Sequence, residues 1–437
     1  MNKTIGIIGL WHLGSVIAVS WAKLGYKVIG FDYDKKRIEN FKQNKPPIFE
    51  PGLEDEIKDL TEKGLLSFTY NIKDLSECDF VFLTYDTPVR DDDSSDTSIL
   101  KKSVKDVRGV MKDNSILIVS SQSPVGYCEE LRNLLKKKNK TLELAYSPEN
   151  LRLGEAIECY LNPGRIILGT ASKDTEQKCI ELFGKITNDI LAMSLESSEM
   201  VKHGINSFLS TSIVFANHIA DLCEEKGANI TDVIKGMKSD VRIGQKAYLA
   251  PGIGFSGGTL GRDLKVLETV NNEMDGYAKL FGFIHKTNFE RKKVIVKKIE
   301  KILKKLKGKN IGILGLTYKP GTSTLRRSLP LEIVDLLIKS KAKVKVFDPK
   351  ADYAELTFKP KFKIENSIEA VADKSDILVI LTDWPDFKNY DWSKIISSMN
   401  SKNFLDVKNF LDKKKMKEIG FNFYSLGAGE DLKRGNK

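Results

Sequence analysis

Apolar residues in this chain fall into short unbroken runs separated by stretches of helical spacing, and the alternation occurs at both ends. Thr4–Gly9 (TIGIIG) is such a run, the pattern of a strand buried on both faces of a parallel sheet. Ser15–Leu24 has helical spacing, and Lys27–Phe31 is a second strand-like run closed by Asp32. Further runs stand at Cys78–Tyr85, Ile116–Ser120, Leu142–Tyr146 and Arg165–Gly169, several of them separated by helical patterns. This order predicts a doubly wound α/β domain over about the first 195 residues.

From Ser198 to about Lys226 the spacing is helical without a break, and a second helical stretch is predicted from about Asp263 to Lys307, with breaks near Gly276 and Gly282. Between them lies a glycine-rich loop, Pro251–Gly261 (PGIGFSGGTLG). Strand, turn and helix resume at Asn310 with IGILGL; Lys343–Phe347 ends at Asp348, and Ile377–Thr382 supplies another buried strand. The fold class read from this is α/β, with two Rossmann-like doubly wound domains joined by a central helical segment. The divisions drawn are 1–197, 198–306 and 307–437. A chain of 437 residues exceeds what one core supports, which agrees with more than one domain.

Charge and cysteine usage narrow the function classes. The net charge of +11, from 70 basic and 59 acidic side chains, suits an anionic small substrate such as a nucleotide diphosphate. A lysine-rich solvated surface is the preferred account of it. The densest basic run, Lys292–Lys309, carries Ile295, Val296, Ile299, Ile302, Leu303 and Leu306 at helical spacing, so it is an amphipathic helix and not a nucleic-acid arm. Aromatic residues are not interleaved with basic ones and no nucleic-acid module is present, so no nucleic-acid partner is expected. Five scattered cysteines without a CxxC pair support neither a disulfide framework nor a zinc site, and the four histidines are dispersed, so no metal is expected. A reducing, cytoplasmic location follows from the thiols. Met1–Ala22 superficially resembles a secretory signal, but Trp11, His12 and Gly14 interrupt it and a β-α-β reading accounts for them. No apolar run approaches a membrane span.

Two motifs carry chemistry. The first strand leads into Gly9-Leu10-Trp11-His12-Leu13-Gly14, in the place of the dinucleotide fingerprint G-x-G-x-x-G, with Trp11 at the second glycine. The strand before, the helix after, and Asp32 about twenty positions on make this an NAD site. Asp32 can accept from both adenosine ribose hydroxyls and would repel a 2′-phosphate. The second motif is Glu199–Asn206 (EMVKHGIN), where Lys202 and Asn206 stand four apart on one helix face. A desolvated lysine can shuttle the proton of an alcohol being oxidised while the asparagine fixes the alcohol or a water.

Ordered segments over essentially the whole length resemble the UDP-glucose/GDP-mannose dehydrogenase family. They are Pro47–Leu53 (PIFEPGL), Ser147–Gly154 (SPENLRLG), Glu199–Asn206, Val241–Gly252 (VRIGQKAYLAPG) and Ser256–Asp263 (SGGTLGRD). In the C-terminal part Leu314–Thr322 (LGLTYKPGT), Phe347–Ala351 (FDPKA), Thr382–Trp384 (TDW) and Asp406–Asn409 (DVKN) also match. The resemblance implies an N-terminal NAD-binding domain, a C-terminal nucleotide-binding domain, a homodimer through the central helices and oxidation of a sugar C6 alcohol to a carboxylate. It implies catalytic roles for Lys202, Asn206, Asp263 and Glu149, with Thr259 at the nucleophile position. Cofactor contacts are implied for Gly9, Trp11, His12, Leu13, Gly14, Asp32 and Thr87. Substrate contacts are implied for Asn150, Leu151, Arg152, Arg242, Tyr248, Gly257, Lys319 and Lys408, with Arg242 reaching across the dimer.

The departures concern the second oxidation. The family pattern has a cysteine where this chain has Thr259, a lysine at Arg262, a glutamate at Leu153 and a threonine at Gln122. A thiol is appreciably ionised near neutral pH and a threonine hydroxyl is not, so the usual covalent step is unsupported. Three outcomes stay open at this point: a carboxylate formed through the aldehyde hydrate; a two-electron oxidoreductase, carbonyl reductase or NAD-dependent epimerase; and a non-catalytic nucleotide-sugar binder.

Overall fold

A computed structural model describes residues 3–88, 95–148, 151–152, 154–256, 258–274 and 279–429. The chain forms two compact units, Met1–Gly204 and Ile205–Lys437.

The first unit is built on an eight-stranded sheet of β1 (Thr4–Ile8), β2 (Lys27–Phe31), β3 (Leu66–Thr69), β4 (Phe80–Leu83), β5 (Ile116–Val119), β6 (Glu143–Tyr146), β7 (Ile166–Thr170) and β8 (Ile190–Met193). Their spatial order is β3-β2-β1-β4-β5-β6-β7-β8. The first six strands are parallel in the doubly wound order, which puts a topological switch point between β1 and β4, at the carboxyl ends where such sheets bind ligands. β7 runs antiparallel to β6, pairing Ala145 with Thr170 and Tyr146 with Gly169, and so departs from the parallel pattern of the first six. Apolar layers cover both faces. One gathers Ile5, Ile7, Trp21, Phe82 and Phe183; the other gathers Ile8, Val81, Leu83, Leu117 and Tyr146. Alternate residues of β1 and β4 therefore enter opposite layers, which is why those strands read as unbroken apolar runs.

The second unit repeats the idea with β9 (Asn310–Leu314), β10 (Lys343–Phe347), β11 (Lys363–Ile364), β12 (Ile377–Ile380), β13 (Asn403–Asp406) and β14 (Asn422–Ser425). The order is β11-β10-β9-β12-β13-β14, and every pair is parallel. The first six strands of one unit and all six of the other share one topology.

The long helix Leu195–Lys226 is continuous, as its spacing predicts. The glycine-rich loop is shorter than predicted, because helix Thr259–Glu273 begins inside it; Thr259, Leu260 and Gly261 form its first turn. The predicted interruption of the second helical stretch falls between helix Thr259–Glu273 and helix Leu280–Leu303; Gly276 lies outside the described residues, and Gly282 lies within the first turn of the later helix, against Glu268. The basic amphipathic helix ends at Leu303, where Lys304 turns left-handed at φ 64°, and Leu306 returns to the core beyond it. Helix Ile230–Ser239 and strands β3, β8, β11, β13 and β14 had no clear run of their own in the sequence.

Candidate active site

The turn after β1 is shaped by two glycines, and the reasons are steric. Gly9 has φ +99°, and a Cβ there would stand 2.9 Å from the Tyr85 ring. A Cβ on Gly14 would stand 1.8 Å from the Gly9 carbonyl oxygen, so nothing larger fits. Trp11, at the second glycine position, is extended (φ −83°, ψ −158°) and needs no glycine for its backbone. Thr84 on the segment after β4 secures the turn, donating to the Gly9 carbonyl at 2.6 Å. Helix His12–Lys23 starts here with free backbone amides, an arrangement that can hold a pyrophosphate. The turn therefore fits a dinucleotide despite its missing glycine.

Asp32 at the end of β2 reaches back to this turn. Its Oδ2 accepts from the Leu10 amide at 2.7 Å and from Arg37 Nη1 at 2.8 Å, and its Oδ1 accepts from the Asp34 amide at 2.9 Å. Asp32 is only 1% exposed, its carboxylate lying beneath the Arg37 guanidinium. Asp348 occupies the same place in the second unit, accepting from Leu316 at 2.6 Å and Thr317 at 2.9 Å. His12 pairs with Glu50 at 2.9 Å, and Glu50 also accepts from the Gly154 and Ala156 amides at 3.0 and 2.8 Å. Burial opposes ionisation of Glu50, yet the two amides and His12 outweigh it and hold its carboxyl below the usual range. Glu50, part of PIFEPGL, thus ties the turn to the end of SPENLRLG. Leu13 is half-buried in the same turn, and Thr87 is buried and donates to the Gln122 carbonyl at 3.2 Å.

On the long helix, Lys202, His203 and Asn206 are all buried. Glu199 accepts from the Gly126 and Cys128 amides at 2.6 and 2.8 Å, capping helix Tyr127–Lys136, and burial raises its carboxyl above the ordinary value. His203 Nε2 meets the Ser123 carbonyl at 2.8 Å. These bonds fix the rotation of the helix start, with Lys202 beside them in sequence.

In the second unit, Asn206 Nδ2 donates to Asp263 Oδ2, and both residues are buried. An ionised carboxylate only accepts, so it draws the amide nitrogen inward and leaves Asn206 Oδ1 as an acceptor for a hydroxyl or water. The loop before Asp263 is held from several sides. Asn217 accepts from the Gly252 amide at 2.7 Å, Arg291 donates to the Gly252 carbonyl at 3.1 Å, and Asn288 brackets Phe255 by its amide and carbonyl at 2.8 and 2.9 Å. At Gly254, φ +100°, a Cβ would meet Asn288 Oδ1 at 2.4 Å. The roles of Asn217, Asn288 and Arg291 were not legible in the sequence, since polar residues on a helix carry no mark of the loop they meet.

Thr259 is exposed at the start of its helix, with no side-chain hydrogen bond to a described residue. Burial pushes the Cys78 and Cys179 thiols up to about 12 and raises those of Cys128 and Cys223, which disfavours their thiolates.

The other expected contacts are dispersed. Leu151 and Arg152 line a cavity of about 380 Å³ in the first unit, with Ser147, Tyr160 and Arg165. Arg242 is bonded to Asp240 at 2.7 and 3.0 Å, and it and Tyr248 are exposed. Lys319 is exposed, 5.7 Å from the Tyr318 ring. Lys408 pairs with Asp383 at 3.2 Å, while its amide donates to buried Asp406 at 2.8 Å. Glu149, Asn150 and Gly257, like Leu153, lie outside the described residues. Among the described residues, no group of three or more His, Cys, Asp and Glu could hold a metal ion, and no helix is long and apolar enough to cross a membrane.

Comparison with known proteins places these features in one family. Residues 3–187 match the NAD binding domain of the UDP-glucose/GDP-mannose dehydrogenase family, residues 196–290 its central domain and residues 312–413 its UDP binding domain. A UDP-glucose 6-dehydrogenase of Rickettsia bellii is 34% identical over 98% of this chain and 100% of its own. The Bacillus subtilis UDP-glucose 6-dehydrogenase TuaD is 30% identical over 97% of this chain and 93% of its own. Among solved structures, a UDP-glucose dehydrogenase of Pyrobaculum islandicum superposes with a TM-score of 0.87 at 26% identity, covering 98% of both chains. A UDP-D-ManNAc dehydrogenase of Pyrococcus horikoshii gives 0.86 at 26%, over 98% of this chain and 100% of that one. The chain belongs to the UDP-glucose/GDP-mannose dehydrogenase family and is an NAD-dependent nucleotide-sugar dehydrogenase.

Proposed function

We propose that this enzyme oxidises the C6 alcohol of a UDP-sugar, in the making of a polysaccharide precursor, with Lys202, Asn206 and Asp263 as its proton-handling and positioning groups. The observation that carries the reading is the buried Asn206–Asp263 bond, one helical turn beyond buried Lys202. When bound, NAD accepts the hydride released from the alcohol carbon. Lys202 takes the hydroxyl proton as that hydride leaves, and Asn206 Oδ1 accepts from the alcohol or from a water beside it. Asp263 keeps the Asn206 amide in that orientation. Glu149, Asn150, Leu151, Arg152, Gly257, Lys319 and Lys408 are assigned to the sugar nucleotide by family resemblance, and 1–197, 198–306 and 307–437 are the domains that carry these roles.

A homodimer through the central helices belongs to the same reading. Phe208, Phe215 and Leu222 are 69%, 46% and 59% exposed and recur every seven residues along the long helix, forming one apolar stripe. Arg242 and Tyr248, exposed in a single chain, are then available to a partner's substrate. Five free thiols suit the reducing cytoplasm.

A second reading stops the reaction after one hydride, and Thr259 favours it: its hydroxyl is exposed and makes no side-chain hydrogen bond to a described residue that could make it a nucleophile. Incubation with NAD and a panel of UDP-, GDP- and dTDP-sugars, counting NADH per sugar consumed and weighing the product, tests both. Two NADH and a carboxylate establish the acid-forming enzyme; one NADH and an aldehyde establish the two-electron enzyme. Turnover of none of these sugars would overturn both.

A further inference from the structure

The lysine excess of this chain is gathered at one end of the second unit's sheet. Three segments lead into neighbouring strands: Lys304–Lys309 (KKLKGK) before β9, Lys339–Lys343 (KSKAK) into β10 and Lys359–Lys363 (KPKFK) into β11. They hold four, three and three lysines, and no aspartate or glutamate. Because β11, β10 and β9 are adjacent and parallel, the three segments meet at the amino end of the sheet. The Gly308 amide donates to the Lys341 carbonyl at 2.9 Å, and the Lys343 amide to the Lys309 carbonyl at 2.8 Å. Lys309, Lys339 and Lys363 pair with Asp376, Asp335 and Glu365 at 3.6, 2.5 and 2.8 Å. The remaining lysines of the strip are exposed and make no ion pair with a described residue. Unpaired like charges this crowded repel one another, and an anionic partner relieves that repulsion. Apolar groups stand in the same strip: Phe358 is 53% and Ile364 39% exposed, at either end of the third segment. Phe358 also lines a cavity of about 530 Å³ with Leu331, Leu336, Ile338 and Phe362.

We propose that the amino end of this sheet is a docking surface for an anionic lipid bilayer, held by the lysines and seated by Phe358 and Ile364. Interfacial binding adds attraction to anionic head groups to burial of apolar side chains at the acyl boundary, and the strip supplies both. Nucleic-acid strands are instead held by stacking of successive bases on open aromatic rings. Here the ring within the third segment, Phe362, is buried. The turn Leu314–Thr322 follows the carboxyl end of β9, so docking at the amino end leaves that turn open to a nucleotide.

Cosedimentation of the full chain with vesicles tests this, using phosphatidylcholine alone and phosphatidylcholine with about 30% phosphatidylglycerol. The wild type should bind the anionic vesicles at least about tenfold more tightly, and raising salt from about 0.05 to about 0.5 M should release it. Lys359→Glu with Lys361→Glu should weaken that binding about tenfold or more, and Phe358→Ser about threefold. Lys305→Glu with Lys307→Glu is an independent second pair on the strip and should act as the first does. Lys137→Glu with Lys140→Glu makes the same charge change on exposed lysines of the first unit and should leave binding as in wild type. Circular dichroism checks the fold of each variant. Equal binding to both vesicle types, an equal loss in the first-unit control, or undiminished binding by both strip pairs overturns the proposal. Tighter binding of a polyuridylate strand than of the anionic vesicles overturns it as well, and makes the strip a nucleic-acid surface.

Discussion

Asn206 and Asp263 stand 57 residues apart in sequence, yet the amide of one donates to the carboxylate of the other, in the interior of the second unit. The bond joins the long helix to the helix that follows the glycine-rich loop. It fixes an amide that would otherwise present nitrogen or oxygen with equal ease.

Asp263→Asn should therefore disable catalysis more than binding. The new amide can donate as well as accept, so Asn206 is free to turn over. The expected result is a fall in kcat of about 100- to 10,000-fold, the span of positioned proton-transfer groups, with NADH affinity unchanged. Steady-state kinetics beside calorimetry checks this; a kcat within fivefold of wild type would remove Asp263 from the site.

Lys202→Met should lose kcat over the same range, about 100- to 10,000-fold, while a sugar nucleotide still binds. Single-turnover formation of NADH, followed at saturating substrate, separates this from a binding defect. Unimpaired single-turnover NADH formation would mean that another group takes the proton.

Thr259→Ala should keep hydride transfer within about tenfold of wild type, because the hydroxyl is exposed and makes no side-chain bond to a described residue. Loss of a hundredfold or more would reveal Thr259 as a participating group. The ratio of NADH to sugar in the same assay shows whether the effect falls on the first or the second oxidation.

Glu50 predicts an acid-sensitive link between the β1 turn and Gly154–Ala156. Its folded-state carboxyl is held below the ordinary 4.5, so the stability it contributes is complete above that value and is lost as pH falls through the lower, folded one. Glu50→Gln should lower Tm at pH 7, and the gap to wild type should close on acidification below about pH 4. A gap constant between pH 7 and pH 3 would assign Glu50 no ionic role.

Phe208→Glu together with Phe215→Glu should yield a folded monomer by light scattering if the stripe on the long helix is the dimer contact. Burying two carboxylates between copies carries a desolvation cost that apolar packing cannot offset. A double variant that remains dimeric places the interface elsewhere.

The sequence by itself determined the parts whose signal is local. Strands such as β1, β4, β5 and β12 are buried on both faces, so they appear as unbroken apolar runs at any distance from their partners. Gly9 and Gly14 were legible because a tight turn and a close helix admit no side chain, and Lys202 and Asn206 because one helical turn relates them. Tertiary structure alone decided what depends on meeting between remote segments. The edge strands β3, β11 and β14 are short, β3 and β14 only partly buried and the two residues of β11 exposed, so their runs are weak. Thr259 opens a helix that the glycines around it concealed, since glycine marks a turn and a helix start alike. That Asp32 lies beneath Arg37, that Asn288 clasps Phe255 and that Asp263 turns the Asn206 amide could not be read in advance. A side-chain hydrogen bond is chosen by which groups burial leaves without water, and burial is a property of the folded chain.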